Sequence, residues 1–167
     1  DIVLSILRRK YRHYRRFQFR KRDGTVRHIH APRTFLKVVQ WWILDTILSN
    51  VDTHEAAYGF IKGRSFIDNA RRHVGANYLL NVDVRNFFGS IQTTSVYPLF
   101  IKLGYSPSVS AELTEIVSYA GFLPQGAPTS PYISNIIMHP IDNSLQEYSR
   151  RLGITYTRYA DDMSFSS

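Results

Sequence analysis

The 167-residue chain contains no cysteine, and that absence removes a disulfide framework, a cysteine-ligated zinc site and a thiol nucleophile together. It also lacks any apolar run approaching the ~18 residues that span a bilayer. Its N-terminus has neither the apolar stretch nor the small-residue cleavage site of a secretory signal, so a soluble protein with no membrane partner is expected. Acidic side chains are scarce, 13 against 21 lysines and arginines. Apolar residues reach 44%, ordinary for a packed domain, which excludes a disordered, collagen-like or acidic-tail character. The length suits one domain or part of one.

The positive excess sits at one end. Residues 1–33 hold eleven basic side chains, Arg16, Arg20 and Arg22 among them, against only Asp1 and Asp23. Tyr11, Tyr14, Phe17 and Phe19 are interleaved with these cations. Cations beside aromatic faces suit a phosphate backbone and unpaired bases; a solvated basic face or a membrane-surface patch would have the same composition.

Periodicity predicts an α+β unit with helices packed on an antiparallel sheet. A short helix over 2–10 precedes a hairpin, because Arg16–Lys21 and Thr25–His30 flank the turn-forming Asp23-Gly24. Phe35, Val38, Val39, Trp42, Ile43 and Ile47 mark an amphipathic helix over 34–49 with that stripe inward. Ser65 is placed to cap a helix running to Val74 and stopped by Gly75. Tyr78–Val84 reads as a strand with Leu80, Val82 and Val84 on one face and Asp83 on the other. Helices over about 94–103 and 107–119 are expected to stop at Gly104 and Gly121. After the rigid segment 123–131, a helix to Leu152 turns Ile133, Ile136, Ile137, Ile141 and Leu145 inward, with Pro140 as a kink. A strand over 154–159, a tight turn at Ala160-Asp161-Asp162 and a return strand from Met163 follow. The sheet is expected to be incomplete, because the sequence stops inside that return.

Asp161 and Asp162 at a turn, with Asp83 at the end of another strand, offer hard oxygen ligands on rigid elements. Such a set suits Mg²⁺, which takes one or two carboxylates and completes its shell with water and substrate phosphates. Two such ions about 3.5–4 Å apart would activate an attacking hydroxyl and stabilise a leaving pyrophosphate. Asp-Asp in a turn is also ordinary turn chemistry. Tyr159 and the apolar strand around it predict partial burial, where unpaired carboxylates cost several kcal/mol without a cation. His28 and His30 share a strand face without a third ligand, and Thr129 and Ser130 suit a helix cap better than a nucleophile.

Tyr159-Ala160-Asp161-Asp162, preceded by Tyr156-Thr157-Arg158, resembles the catalytic Y-A-D-D of bacterial reverse transcriptases. Leu123-Pro124-Gln125-Gly126-Ala127-Pro128-Thr129-Ser130-Pro131 resembles that family's L-P-Q-G-x-x-x-S-P element, and Asn81–Phe88 resembles its first catalytic strand. The likeness extends upstream through Tyr58-Gly59-Phe60 and the basic hairpin. Asn69-Ala70-Arg71-Arg72-His73 is similar to the N-A-x-x-H element of retron reverse transcriptases.

The resemblance implies a right-hand polymerase without its thumb. Fingers would span 1–76, with the basic hairpin at about 15–31, and a partial palm 77–167, with helices at about 93–120 inserted. It implies addition of deoxynucleotides to a primer hydroxyl on an RNA template, the retron primer being a 2′-hydroxyl of a cognate structured noncoding RNA. Two Mg²⁺ ions, with Mn²⁺ as a substitute, would be held by Asp83, Asp161 and the Val84 carbonyl, with Asp162 in a weaker role. Phe88 would gate against a ribose 2′-hydroxyl, and Gln125 and Gly126 would lie against the incoming nucleotide. Arg27 and Lys37 would clamp its triphosphate, while Asn69 and His73 would join Arg16, Arg20 and Arg22 in holding nucleic acid. A bacterial cytoplasmic location, a part in antiviral defence and an effector partner fit the same family. A group II intron or other defence-associated reverse transcriptase, and a non-catalytic RNA-binding module, are the competing readings.

Overall fold

The computed structural model describes residues 2–20, 24 and 26–167, and of these all side chains except Ile2, Leu4 and Arg27. The turn of the basic hairpin, with Arg22, therefore lies outside the described residues. Two compact units emerge. The first comprises residues 1–50 and 88–133, the second 51–87 and 134–167.

In the first unit α1 (Ile2–Arg8) precedes a two-stranded antiparallel ribbon of β1 (Tyr14–Arg20) and β2 (Val26–Pro32). Tyr14 pairs with Pro32 and Arg20 with Val26, so Arg16, Gln18 and Arg20 share one face and Phe17 and Phe19 the other. Only Tyr14 of β1 is buried. The core gathers Ile6, Leu36, Val96, Phe100 and Val117, all fully buried, from α1, α2 (Thr34–Thr46), α5 (Thr93–Lys102) and α6 (Pro107–Val117).

The stripe expected on α2 is only partly inward: Ile43 is buried and Val39 and Ile47 are half-buried. Leu36, Gln40 and Ile43 face inward, whereas Phe35, Val38 and Trp42 are exposed, Trp42 to 58%. A polar residue sets the phase: the Gln40 amide donates to the Tyr14 hydroxyl at 3.0 Å and to the Ile116 carbonyl at 2.8 Å. Apolar periodicity alone does not register a buried glutamine whose amide nitrogen is held by two hydrogen bonds. α2 also stops at Thr46, with a 3₁₀ turn over Leu48–Asn50.

Gly121 does not cap α6. It follows Ala120 in a turn where both residues have positive φ, 52° and 87°, and Tyr119 and Phe122 exchange backbone hydrogen bonds across it. This is the primed-turn geometry that suits a tight hairpin.

The second unit contains α3 (Phe66–Arg71) and a three-stranded antiparallel sheet in the order β3 (Leu79–Asp83), β5 (Asp162–Ser166), β4 (Thr155–Tyr159). Ser65 caps α3 reciprocally with Asp68, as its sequence predicts, although the helix ends earlier than Val74. The short α4 (Phe87–Ser90) and the long α7 (Ser130–Arg151) complete the order. Residues 51–76, expected with the first domain, group with the second unit. Their attachment is physical: Ala57 bridges to Arg158, and the His73 ring reaches both Thr157 and Ser166.

The inward face of α7 is not the isoleucine stripe expected. Ile133 is fully buried, but Ile141 is 49% exposed, and beyond Ile133 the buried positions include Asn135, Met138, Asp142 and Ser149. A charged residue beneath the helix, Arg158 of β4, explains the polar choice. Every residue of β3 is exposed, so Leu80 and Val82 present no buried face. No described helix is long and apolar enough to cross a membrane.

Candidate active site

Antiparallel register places Asp83 directly opposite Asp162, and Asp162 directly opposite Tyr159. Residues opposed across neighbouring strands share a face. Asp83, Asp162 and Tyr159 therefore form one row across the sheet, above the rows Asn81, Ser164, Thr157 and Leu79, Ser166, Thr155. Asp161 stands at the connection between β4 and β5, and its carbonyl accepts the Val84 backbone N–H at 3.0 Å. Asp83, Asp162 and the Asp161 turn, with the Val84 backbone, thus lie at the adjoining ends of two strands.

The acids are more open than their sequence context predicts. Asp83 and Asp162 are exposed and Asp161 is half-buried, although Ala160 between the strands is buried. Asp162 nonetheless has its carboxyl pKa raised, first by desolvation and then by the negative charges of Asp161 and Asp83. Among the described residues no group of three His, Asp or Glu side chains is gathered closely enough to form a ready cation cage. The donor set still fits a hard divalent cation that keeps several waters and takes further oxygens from substrate. The mutual repulsion felt at Asp162 is what such a cation would relieve.

The connection between β4 and β5 is two residues long, and Ala160 takes φ 58°, a region that alanine visits at a cost of about 1–2 kcal/mol. Its neighbours enforce that conformation. A Cβ built on Gly59 would lie 2.4 Å from the Ala160 nitrogen, so backbone packs on backbone there. The Arg158 side chain donates through Nη1 to the Ala160 carbonyl at 2.8 Å. Gly59 and Arg158 stand within segments that match the family pattern, yet sequence reasoning gives neither a role. A glycine between two aromatics is the only available signal for close approach.

On this same face of the sheet, His73 lies between two hydroxyls, Nδ1 to Ser166 Oγ at 2.7 Å and Nε2 to Thr157 Oγ1 at 2.6 Å. Each hydroxyl can donate or accept, so a neutral imidazole in either tautomer bonds to both. Desolvation, then the charge of Arg72, lowers its pKa. The unfolded chain protonates near pH 6.5, so the stability contributed by neutral His73 is complete above that pH and is lost as pH falls toward the lower native value. Acidification from pH 7 to 5.5 is expected to lower the unfolding midpoint, and His73→Gln should flatten that slope. His30 and His54 shift in the same direction, so part of the slope persists. A His73→Gln profile parallel to that of the parent chain would contradict this reading.

The remaining expected site residues fall in the first unit or at the edge of the second. Arg16 donates to the Tyr119 hydroxyl at 3.2 Å through Nε and at 2.6 Å through Nη2. Arg20 is exposed at the far end of β1. Arg27 occupies β2 opposite Phe19, its side chain outside the described set. The Lys37 ammonium stands 4.9 Å from the Trp41 ring centre, a cation–π contact. The Gln125 carbonyl accepts the His30 N–H at 3.0 Å, and Gly126, at φ 112°, lies against Ile29 and His30. Phe88 is half-buried in α4. Asn69 lies in α3 with its side-chain oxygen buried and unpartnered among the described residues.

Residues 19–167 match the sequence profile of reverse transcriptase (RNA-dependent DNA polymerase). The chain is 40% identical over 145 residues to the retron Ec86 reverse transcriptase of Escherichia coli, covering 87% of this chain and 45% of that protein. It is 39% identical over 172 residues to the retron Mx162 reverse transcriptase of Myxococcus xanthus, covering 92% and 36%. The retron Mx65 reverse transcriptase of the same organism is 37% identical over 177 residues, covering 95% and 42%. The chain therefore spans less than half the length of these relatives. With its acids aligned across β3 and the β4–β5 hairpin, and a family profile matched over residues 19–167, the chain belongs to the reverse transcriptase (RNA-dependent DNA polymerase) family.

Proposed function

We propose that the protein containing this chain is an RNA-directed DNA polymerase of retron type, adding deoxynucleotides to a primer hydroxyl on an RNA template. The observation that carries the reading is the facing of Asp83 and Asp162 across the sheet, with Asp161 at the adjoining turn, in a chain of this family. In this reading residues 1–76 supply fingers and 77–167 a partial palm, with the helices at about 93–120 inserted. Asp83, Asp161 and the Val84 carbonyl hold two Mg²⁺ ions, or Mn²⁺ in their place, and Asp162 stands beside them. When bound, such cations neutralise the developing charge of phosphoryl transfer and lower the pKa of the attacking hydroxyl.

The chain's own residues do the rest. Arg27 and Lys37 meet the triphosphate, Arg being suited to bidentate contact. Phe88 closes the space beneath the sugar, and the side-chain-free Gly126 beside Gln125 lets the nucleotide approach the backbone. Arg16, Arg20 and Arg22, on a ribbon with exposed Phe17 and Phe19, hold RNA by charge and stacking. Asn69 and His73 bring the retron-associated helix to the template side, and a structured noncoding RNA made beside the protein is the natural template and primer. The bacterial cytoplasm, where RNA and deoxynucleotides meet, is the proposed location. An effector partner and a role in defence accompany the retron assignment.

Primer extension with Mg²⁺, deoxynucleotides and an RNA template tests the reading, run on this chain and on a protein of the relatives' length that contains it. Extension by the longer protein, strongest with a cognate structured RNA, is the expected result. Equal extension on any primed RNA would favour a group II intron or other defence-associated enzyme. RNA binding without extension on any template would leave a non-catalytic RNA-binding module.

A further inference from the structure

Arg158 is fully buried, and so is its partner Asp142. The two meet in a bidentate pair, Nε to Oδ1 at 2.8 Å and Nη2 to Oδ2 at 2.7 Å. The Tyr156 hydroxyl donates to the same Asp142 Oδ1 at 2.7 Å. Nη1 of Arg158 makes two further bonds, to Asn135 Oδ1 at 3.0 Å and to the Ala160 carbonyl at 2.8 Å. Asn135 in turn donates from Nδ2 to the Gly59 carbonyl at 2.9 Å. The path closes on itself, because Gly59 abuts the Ala160 nitrogen.

Buried ion pairs seldom exist for stability, since apolar residues of equal volume often serve as well or better. This pair does something an apolar pair would not. Of the four bonds from the guanidinium, two leave the pair, and one of these ends on the carbonyl of the residue that precedes Asp161. The pair and Asn135 fix that guanidinium in place, so the Ala160 carbonyl meets a rigid donor and not a mobile one. Asn135 applies the same constraint from the other side by holding Gly59 against the Ala160 nitrogen. The left-handed turn that presents Asp161 and Asp162 is thus gripped on both of its backbone faces.

We propose that Arg158, Asp142 and Asn135 are positioning residues for the acidic turn, setting Asp161 and Asp162 in the geometry that accepts a divalent cation. The inference rests on the polymerase reading above. None of the three touches substrate or cation. Partners of this kind behind metal ligands change metal affinity or activity by about 10–100-fold when removed. Lysine in place of Arg158 keeps the charge beside Asp142 but lacks the fork that reaches Asp142, Asn135 and Ala160 together.

The test uses two variants in the protein of the relatives' length. Arg158→Lys keeps the buried charge paired. Arg158→Met/Asp142→Leu/Tyr156→Phe replaces the pair with apolar groups and leaves no orphaned hydroxyl. Two readouts are taken: the Mg²⁺ concentration that half-saturates the rise in unfolding midpoint without substrate, and the rate and primer-template KM of extension. At least one variant should fold with a midpoint near the parent's, need about tenfold more Mg²⁺ in both assays, and lose kcat about 10–100-fold with KM unchanged. Parental Mg²⁺ dependence and kcat in every variant that folds overturns the proposal, as does loss of the fold in both variants, which would make the network a determinant of folding alone. A parent protein that extends no primer is a separate outcome, and it counts against the polymerase reading and not against the grip on the turn, which the Mg²⁺-dependent midpoint still reports.

Discussion

Asp161→Asn is expected to lower primer extension by about a thousandfold or more, while the metal-free chain becomes harder to unfold. The first effect follows, on the proposed function, from losing an anionic oxygen where a cation would stabilise the transferring phosphate, a loss of several kcal/mol at ~1.4 kcal/mol per tenfold in rate. The second follows from the electrostatics of the acids without their cation. Asp162 has its pKa raised above the ordinary carboxyl value, by desolvation first and then by Asp161 and Asp83. A folded pKa above the unfolded one contributes stability below the unfolded value, near pH 4, and that contribution is lost as pH rises through the folded value. At neutral pH the clustered charges oppose folding, and removing one relieves the others. The gain in unfolding midpoint should be largest at pH 7 and low salt, and should shrink when Mg²⁺ or salt screens the parent chain. A variant that extends primers at the parental rate would remove Asp161 from the chemistry. A variant with a clearly lower midpoint in metal-free buffer would show that its carboxylate serves as a structural acceptor.

Gly59→Ala should be nearly as severe for activity and far worse for stability. The added methyl would stand 2.4 Å from the Ala160 nitrogen, 3.2 Å from its Cα and 3.2 Å from the Tyr159 carbonyl carbon. All three are backbone atoms, and both partners are held. The Gly59 carbonyl is bound by Asn135 and the Ala160 carbonyl by Arg158, while the Tyr58 N–H donates to the Arg158 carbonyl at 2.7 Å. Overpacking of this kind costs about 1–3 kcal/mol or more when neighbours cannot yield, and any yielding displaces the turn that presents the acids. A fall of several degrees in the unfolding midpoint is expected, together with extension reduced by about two orders of magnitude, the scale of a small misplacement at a reacting centre. Gly63→Ala is the control: no atom lies within 4 Å of the place its methyl would take, and only its φ of 80° opposes substitution. Equal midpoints for the two variants would show that contact with Ala160 is unimportant.

Some of this is visible in the sequence because the signals are local. The capping Ser65, the Ala160-Asp161 connection and the alternation that ends on Asp83 each depend on a few adjacent residues. What stays concealed depends on burial of polar groups. Apolar periodicity counts Gln40 of α2 as outward, and it consequently places the stripe on Phe35, Val38 and Trp42. It misses Asp142 and Asn135 of α7 for the same reason, in favour of Ile141. An arginine in a strand next to a turn reads as a surface cation until its acceptors, in a helix sixteen and twenty-three residues earlier, are known. His73 reads toward RNA because its motif suggests it; the two hydroxyls that occupy its ring come from strands more than eighty residues downstream. Long-range polar pairing leaves no periodic trace in a single sequence.

The shortness of the β4–β5 connection limits the kinds of genetic change this region tolerates. Substitutions at the tip alter one side chain at a time. A single-codon insertion between Tyr159 and Asp162, if taken up by sliding β5 one place along its neighbours, would transfer every residue of that strand to the opposite face. Asp162 would leave the row it shares with Asp83 and Tyr159, and Met163 and Phe165 would replace Ser164 and Ser166 in front of His73. One inserted residue would then cost the acid row and the histidine's partners in a single event, so length at this hairpin is expected to be more strictly inherited than the identity of its residues.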